Sequence, residues 1–452
     1  MTSLATVDPA PARCGMPFFS PPAQVMVEPG PMLLADLDDG PSLAAHRARF
    51  GGVGAAGPRP AGPGSAAPES VEQLAQWAEA VGLAGRGGAG FPFHVKLRAA
   101  AAGPRGRRPI VVVNLAEGEP LSGKDTALAR CVPHRVLDGA ALTAGLLGAR
   151  EVHVVVPRER PLVEESMALA VAERQAAGER LAWRLTVVGP GFVSGQARAV
   201  IEALSGRPGL PVTAWQPEAV SGLRGRPTLL SNAETWAHVW AVVQRGPAGY
   251  AALGTSSEPG TTLLSLPGAD EASVGVGTVA VVEVELGTSW AAPMGEVAHD
   301  VPVLLGGFHG TWTTASTLTG MPVSRVALRD GGLALGAGVA WPLPPGVCPV
   351  DVTASITAYL AGESAQRCGP CRNGLPALAA EVGALARGVS ADYTRIEHLA
   401  GLVERRGACA HPDGTARLVR SLVSAFGDEV AAHRAGRCDV TRRDLTRPEV
   451  AQ

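Results

Sequence analysis

Residues 109–157 read PIVVVNLAEGEPLSGKDTALARCVPHRVLDGAALTAGLLGAREVHVVVP, and they decide the fold. PIVVVN (109–114) is a short apolar run rich in β-branched residues, the pattern of a strand buried on both faces. EVHVVVP (151–157) repeats it, and HRVLDGAALTAGLLGA between them has the length and apolar content of a covering helix. A charged helix to about Ala177 and LAWRLTVVG (181–189) complete a βαβ unit, which predicts a parallel sheet. The loop LAEGEPLSGKD leaves the carboxyl end of a buried strand, where α/β proteins place their ligands. Its Glu117 and Glu119 could hold ribose hydroxyls or orient an amide, and an ordinary solvated acidic turn is the alternative.

Upstream, Ser70 is a candidate N-cap for SVEQLAQWAEAVGL, with Leu74, Trp77 and Val81 on one face. Gly85-Arg86-Gly87-Gly88-Ala89-Gly90 follows and formally matches G-x-G-x-x-G. A helix precedes it and Phe91-Pro92 comes after, so the strand–turn–helix setting of a dinucleotide fingerprint is absent. Four glycines in six residues still let backbone N–H groups approach a phosphate or a ring, with Arg86 and Lys96 as phosphate charges. A flexible surface turn reads the segment equally well.

Residues 1–69, rich in Pro, Gly and Ala, read as an irregular arm and linker with one short helix around 41–49. GQARAVIEALSG and SNAETWAHVWAVVQ read as helices, the second with Ser231 or Asn232 near its cap. Between 258 and 330, TTLLSL, TVAVVEVELG and PVLLGG alternate with glycine turns, as in a small β module. From about 350 to near 435 the pattern is helical, and that segment carries a cysteine cluster. The expected units are therefore 1–69 (arm and linker), 70–255 (α/β), 256–335 (β) and 345–440 (helical).

The whole chain has 452 residues, 46% hydrophobic and 18% charged, with 57 glycines and 38 prolines, which fits several folded domains rich in loops. A formal net charge of −2 provides no overall field for nucleic acid, so no nucleic-acid partner is expected. The most apolar stretch, 136–149, contains Asp138 and several glycines and is too short to span a membrane. MTSLATVDPAPARCG lacks a secretory pattern, so the chain reads as cytoplasmic, or as peripheral to the inner face of a membrane through a partner. Seven scattered cysteines are too few for a disulfide scaffold and suggest metal or redox work where they cluster. Cys14 reads as incidental, and Cys131, Cys348 and Cys438, which have no ligand spacing, read as buried structural thiols.

Five segments occur in one order: GRGGAGFP with Lys96, NLAEGEP with Lys124-Asp125, LSNAETWAHV, ESAQRCGPCRNGLPAL and GACAHPDG. In that order, from about residue 70 to 425, the chain resembles the family of flavin- and NADH-binding subunits of respiratory complex I and related hydrogenases. The resemblance implies a multidomain α/β fold: a Rossmann-like FMN-binding domain, a ubiquitin-like (β-grasp, SLBB-type) module and a C-terminal helical bundle with an iron–sulfur centre. It implies that Gly85, Arg86, Gly87, Gly88, Gly90 and Lys96 line the flavin phosphate side. Asn114, Glu117 and Glu119 would lie near the flavin and nicotinamide, flanked by Gly118 and Gly195. Phe91 would stack on the adenine of NADH, and Asn232 and Thr235, with Ser231 beside them, would contact FMN. No side-chain acid or base is required for hydride transfer, so no catalytic residue is expected.

The sequence also departs from the family. The motif Glu-Ser-Cys-x-x-Cys-x-x-Cys reads here Glu363-Ser364-Ala365-Gln-Arg-Cys368-Gly-Pro-Cys371, leaving Cys368, Cys371 and a distant Cys409. His411 could complete an iron–sulfur ligand set, the thiols could be merely packed, or Cys368, Cys371, Cys409 and His411 could hold zinc. Asn-Ala-Asp-Glu becomes Asn114-Leu115-Ala116-Glu117, and Cys-Gly-Glu-Glu becomes Ser194-Gly195-Gln196-Ala197. The implied activity is oxidation of NADH or NADPH through FMN, with electrons passed through an iron–sulfur centre to a ferredoxin-like or membrane redox partner. A non-catalytic scaffold or assembly relative is the alternative, favoured by Ala365 and the lost carboxylates.

Overall fold

The computed structural model describes residues 22, 24–51, 53–54, 57–58, 67–103, 106–268, 277–389 and 393–444; Cys14 lies outside them. The fold is mixed α/β around a four-stranded parallel sheet, in the order Ala182–Val188, Glu151–Pro157, Ile110–Asn114, Thr228–Asn232. Each residue of the central strand Ile110–Asn114 is buried, because helices cover both faces. Its side chains alternate: Val111 and Val113 enter the larger core with helices Val71–Ala80, Pro133–Leu147 and Ala233–Tyr250, while Ile110 and Val112 meet Val200, Ile201 and Leu223 behind the sheet.

The expected βαβ unit is present as Glu151–Pro157, helix Pro161–Ala176 and Ala182–Val188. Ser70 caps helix Val71–Ala80 by accepting the Gln73 N–H. Asn232, the last residue of its strand, caps helix Ala233–Tyr250 directly. The indole N–H of Trp236 is shared between the carbonyls of Val112 and Ser231 at 3.1 Å each, fixing that helix on the sheet. A short helix, Lys124–Cys131, forms inside the stretch read as loop and helix start.

The start of the chain corrects the expectation of an irregular arm. Beside the anticipated short helix, found at Leu43–Phe50, Gln24–Val27 forms a strand parallel to Thr278–Glu285, which pairs antiparallel with Thr261–Pro267. Met32, Leu33 and Leu34 then plug the core, their N–H groups donating to the Glu283 carboxylate at 2.8–3.1 Å. Arg135 donates to the carbonyls of Met32, Leu33 and Ala35, so the segment's backbone is satisfied from both sides.

A second three-stranded sheet, Thr311–Thr314, Pro302–Leu305 and Ala340–Pro342, is antiparallel and reaches past residue 335, where the β segment was expected to end. The helical segment follows: Pro349–Gly362, Leu375–Ala386, Tyr393–Val403, His411–Ala425 and Gly427–Arg434 pack around Val350, Ile356, Leu378, Leu385, Leu418 and Leu422. No helix among the described residues is long and apolar enough to cross a membrane.

Candidate functional site

The glycine loop is a closed structure. Gly85 N–H donates to the Phe91 carbonyl at 2.8 Å and Phe93 N–H to that of Leu83 at 2.9 Å, joining helices Val71–Ala80 and Phe93–Ala101 across the loop. Gly88 and Gly90 have φ of +94° and +62°, which side chains rarely adopt. A β-carbon on Gly87 or Gly90 would meet nothing within 4 Å, so these positions face open space. The loop sits on the N-terminus of helix Ala233–Tyr250: Arg86 N–H donates to Thr235 Oγ1 at 3.0 Å, and Thr235 Oγ1 donates to Asn232 Oδ1 at 2.5 Å. Asn232 also accepts the Thr235 N–H, and its own amide reaches Asp125 at 3.5 Å. Backbone N–H groups and the positive end of helix Ala233–Tyr250, which is kinked at Gly246, thus converge where the sheet ends.

The side chains divide between open and committed. Phe91 is about half exposed beside the loop. Arg86 is buried, with its Nε and Nη1 making no hydrogen bond among the described residues, which suits a phosphate-bearing ligand or another anion. Lys96 Nζ donates to the Leu230 carbonyl at 3.1 Å and pairs with Glu218 at 3.3 Å. Ser231 is buried, its carbonyl taken by Trp236.

The acidic loop is turned inward more than expected. Glu117 is buried, accepting from Ser122 Oγ at 2.6 Å, from the N–H groups of Asp125 and Thr126, from Thr126 Oγ1, and from Arg160 at 2.9 Å. It therefore caps helix Lys124–Cys131 instead of facing open space. Burial alone would raise its pKa, but the Arg160 charge and these donors hold it low. Beneath it, buried Lys124 pairs with Asp125 at 3.2 Å and Glu234 at 3.0 Å. Burial works against the Lys124 charge, and the surrounding carboxylates overcome it. Glu119 behaves differently: burial pushes its pKa up to about 8, although the Phe308 N–H donates to it at 2.8 Å. Gly307, at φ +86°, lies so close that a β-carbon there would strike the Glu119 carboxylate.

A single loop, 191–196, links this region to the cysteines. The Asn114 amide donates to the Gly195 carbonyl at 2.8 Å while its Oδ1 accepts the Ala116 N–H at 3.1 Å. The backbones touch: a β-carbon on Gly118 would lie 2.6 Å from the Phe192 carbonyl, and one on Gly195 would collide with the Ala116 carbonyl. Gly118 and Gly195 are thus required by the protein's own packing. From the same loop, Phe192 N–H donates to Glu363 at 3.2 Å, and the Gln196 amide donates to Cys409. Phe192 also stacks within 6.3 Å of Phe308 and meets His309 edge-on at 4.5 Å.

Cys368 and Cys371 share a thiol hydrogen bond at the π-helical turn Pro370–Gly374, with Cys409 beside them. Burial raises all three thiols, but donors from Ala408 and Cys371 bring Cys368 below its ordinary value, making it the readiest thiolate. His411 does not join them. Its Nε2–H donates to the Leu360 carbonyl at 2.8 Å, so its Nδ1 accepts from His309 Nε2 at 3.1 Å, and both nitrogens are used. Ala365, buried, has no donor atom. The bonds to Leu360 and His309 keep His411 from the three thiols, which corrects the expectation of a three-cysteine, one-histidine site. The sequence reading also missed Arg160, which carries no motif, and loop 191–196. It missed as well a grouping of Cys348 and Cys438 with Glu429 and His433, hidden because Cys348 lies 81 residues from Glu429.

Two family models match the chain: the Nuo51 FMN-binding domain over residues 78–241 and the NADH-ubiquinone oxidoreductase-F iron-sulfur binding region over residues 351–433. The NADH-quinone oxidoreductase F subunit of Streptomyces coelicolor is 28% identical over 392 residues, covering 81% of this chain and 84% of its own length. The F 2 subunit of the same enzyme in Rhizobium meliloti is 28% identical over 433 residues, with 90% and 98% covered. The HndC subunit of the NADP-reducing hydrogenase of Solidesulfovibrio fructosivorans is 26% identical over 371 residues, with 78% and 74% covered. Among solved structures, NAD+-reducing [NiFe]-hydrogenase in the air-oxidized state superposes with a TM-score of 0.74 at 25% identity, over 90% of this chain and 67% of that one. The H2-reduced state gives a TM-score of 0.71 at 25% identity over 80% of this chain, which spans 62% of that hydrogenase chain.

Proposed function

Because the chain belongs to the family of NADH-quinone oxidoreductase F subunits, we propose that it is an FMN-dependent electron-transfer protein that oxidises NADH or NADPH. The observation that carries this reading is loop 191–196, which contacts the acidic loop at Asn114 and Gly118, the Glu363 motif, and Cys409. On this reading, a site that takes two electrons and a site that passes them singly would share one strip of backbone.

The chemistry that bound FMN would supply here is two-electron acceptance from a nicotinamide and one-electron release toward an iron–sulfur centre. The chain's own residues bind and orient. Backbone N–H groups of residues 85–90 and the N-terminus of helix Ala233–Tyr250 would hold the phosphate end, with the Arg86 guanidinium, bonded to Tyr250 but with Nε and Nη1 free of hydrogen bonds among the described residues, adding positive charge. Phe91 would stack on the adenine of the nucleotide. Asn114, Thr235 and Asn232 set the loop geometry, with Glu117 holding the acidic loop in place through helix Lys124–Cys131. Glu119, neutral over much of the physiological range, would present a carboxylic acid and not a second negative charge toward a reduced flavin. Cys368, Cys371 and Cys409 would hold the cluster.

The finer architecture proposed is an FMN-binding α/β unit over 70–255, a β-grasp module over 256–335 and a helical iron–sulfur unit over 345–440. The proposed electron acceptor is a ferredoxin-like or membrane-bound iron–sulfur partner, reached from the cytoplasmic side. The test is reconstitution with FMN under anaerobic conditions followed by NADH: a yellow protein that NADH bleaches is expected. A chain that takes up no FMN would favour a scaffold role instead.

A further inference from the structure

A second group of metal-ligand side chains lies away from the flavin and cluster residues. Cys348 N-caps helix Pro349–Gly362, Glu429 and His433 stand one turn apart on helix Gly427–Arg434, and Cys438 ends the strand Arg437–Cys438. Their ligand atoms all lie within 4.8 Å of one another, and all four residues are at most 9% exposed. Cys348 Sγ is 3.5 Å from Glu429 Oε1 and 3.4 Å from His433 Nε2, and the latter two atoms are 3.2 Å apart.

Those three separations match one face of a small tetrahedron, with Cys438 Sγ within 4.8 Å of all three atoms. Zinc bonds of about 2.3 Å to sulfur and about 2.0–2.2 Å to nitrogen or oxygen give tetrahedral edges of roughly 3.3–3.8 Å. The outer contacts also suit a metal. His433 Nδ1 lies 3.3 Å from the Leu385 carbonyl and 3.1 Å from that of Ala386. Carbonyls only accept, so the proton sits on Nδ1 and the Nε2 lone pair points into the group, the arrangement common behind a ligating histidine. Cys438 Sγ accepts the Thr441 N–H at 3.4 Å, a donor that favours thiolate. The iron–sulfur family model ends at residue 433 and begins at 351, so it accounts for neither cysteine.

We propose that Cys348, Glu429, His433 and Cys438 form a structural zinc site that staples the C-terminal strand and helix Gly427–Arg434 to the start of the helical segment. Four protein ligands leave no position open for substrate, so the ion's role is to close the fold. The closure joins residues 90 positions apart by sequence number, Cys348 to Cys438, where a cross-link removes much unfolded-chain freedom.

The test is elemental analysis of the full-length chain after exhaustive washing with a mild chelator. About one zinc per chain is expected in the wild type and in a Cys368→Ser/Cys371→Ser variant, and at least a tenfold lower content in Cys348→Ser/Cys438→Ser. Zinc retained in the last variant but lost from the cluster variant would overturn the proposal. So would a wild-type chain that takes up none from added zinc chloride, or a Cys348–Cys438 disulfide in anaerobically purified protein. Should Cys348→Ser/Cys438→Ser fail to fold, cobalt(II) added to the metal-free Cys368→Ser/Cys371→Ser chain decides. Intense visible bands with sulfur-to-cobalt charge transfer support the site, and their absence overturns it.

Discussion

Asn114 and Gly195 are joined by a 2.8 Å hydrogen bond from side-chain amide to carbonyl, which ties the end of the central strand to the loop that reaches the thiols. The same side chain accepts the Ala116 N–H, so Asn114 spends both polar ends on holding two loops together. The relationship makes the acidic loop and loop 191–196 one mechanical unit.

Asn114→Ala removes both bonds and leaves a partly buried carbonyl and a buried N–H without their partner. The expected cost is about 1–3 kcal/mol of unfolding free energy, read by urea titration. FMN retention should fall with it, whereas an unchanged midpoint would mean that the loops are fastened elsewhere.

Gly87 and Gly195 should respond in opposite ways. A β-carbon at Gly195 strikes the Ala116 carbonyl, so Gly195→Ala should destabilise the protein by roughly 1–3 kcal/mol, as overpacking does. Gly87 faces open space, so Gly87→Ala should change stability by no more than about 0.5 kcal/mol while weakening FMN binding measured by flavin fluorescence. If both variants bound FMN normally, the glycine loop would not be the cradle.

Glu117→Ala strands Arg160 as an uncompensated buried charge and uncaps helix Lys124–Cys131. Breaking such a pair costs about 3–5 kcal/mol, and thermal unfolding in the absence of FMN should show it. A double change with Arg160→Met should recover part of the loss, since neither charge then remains buried.

Much of this was legible and some was not. The strands Ile110–Asn114 and Glu151–Pro157 announce themselves because sheets buried on both faces need continuous apolar runs. Strand Gln24–Val27 and the plug at Met32–Leu34 do not, because what orders them is one distant strand, Thr278–Glu285, whose backbone pairs with the first and whose Glu283, about 250 residues away, holds the second. Motif order located Glu117 correctly on its loop but could not say that its carboxylate turns onto Asp125, Thr126 and Arg160. His411 stands two residues from Cys409, yet Leu360 and His309 hold its ring away from the thiols. Proximity along the chain does not set the direction of a side chain.

The pH dependence follows from Glu119. Burial raises its folded pKa from 4.5 to about 8, so its protonated form stabilises the fold fully below about pH 4.5. That contribution declines as pH rises and is lost through pH 8. Wild-type unfolding free energy should therefore fall over this window relative to Glu119→Gln, which has no proton to lose. Parallel profiles for the two proteins would show that Glu119 is not held protonated.

Ala365→Cys restores a fourth thiol beside Cys368 and Cys371 at a buried position where only one sulfur atom is added. Iron bound per chain after anaerobic reconstitution should rise, and loss of iron in air should slow, because each cluster iron then has a protein ligand. Equal iron content in both proteins would place the fourth ligand elsewhere.

The most direct measurement is low-temperature paramagnetic resonance of the anaerobically reconstituted wild-type chain, frozen before and after stoichiometric NADH. If loop 191–196 couples a flavin to the three thiolates, NADH should bleach the flavin and change the iron–sulfur signal in the same sample. Cys409→Ser should abolish only the iron–sulfur change. Flavin bleaching with no iron–sulfur response in an iron-loaded wild-type protein, or no bleaching at all, would contradict the account.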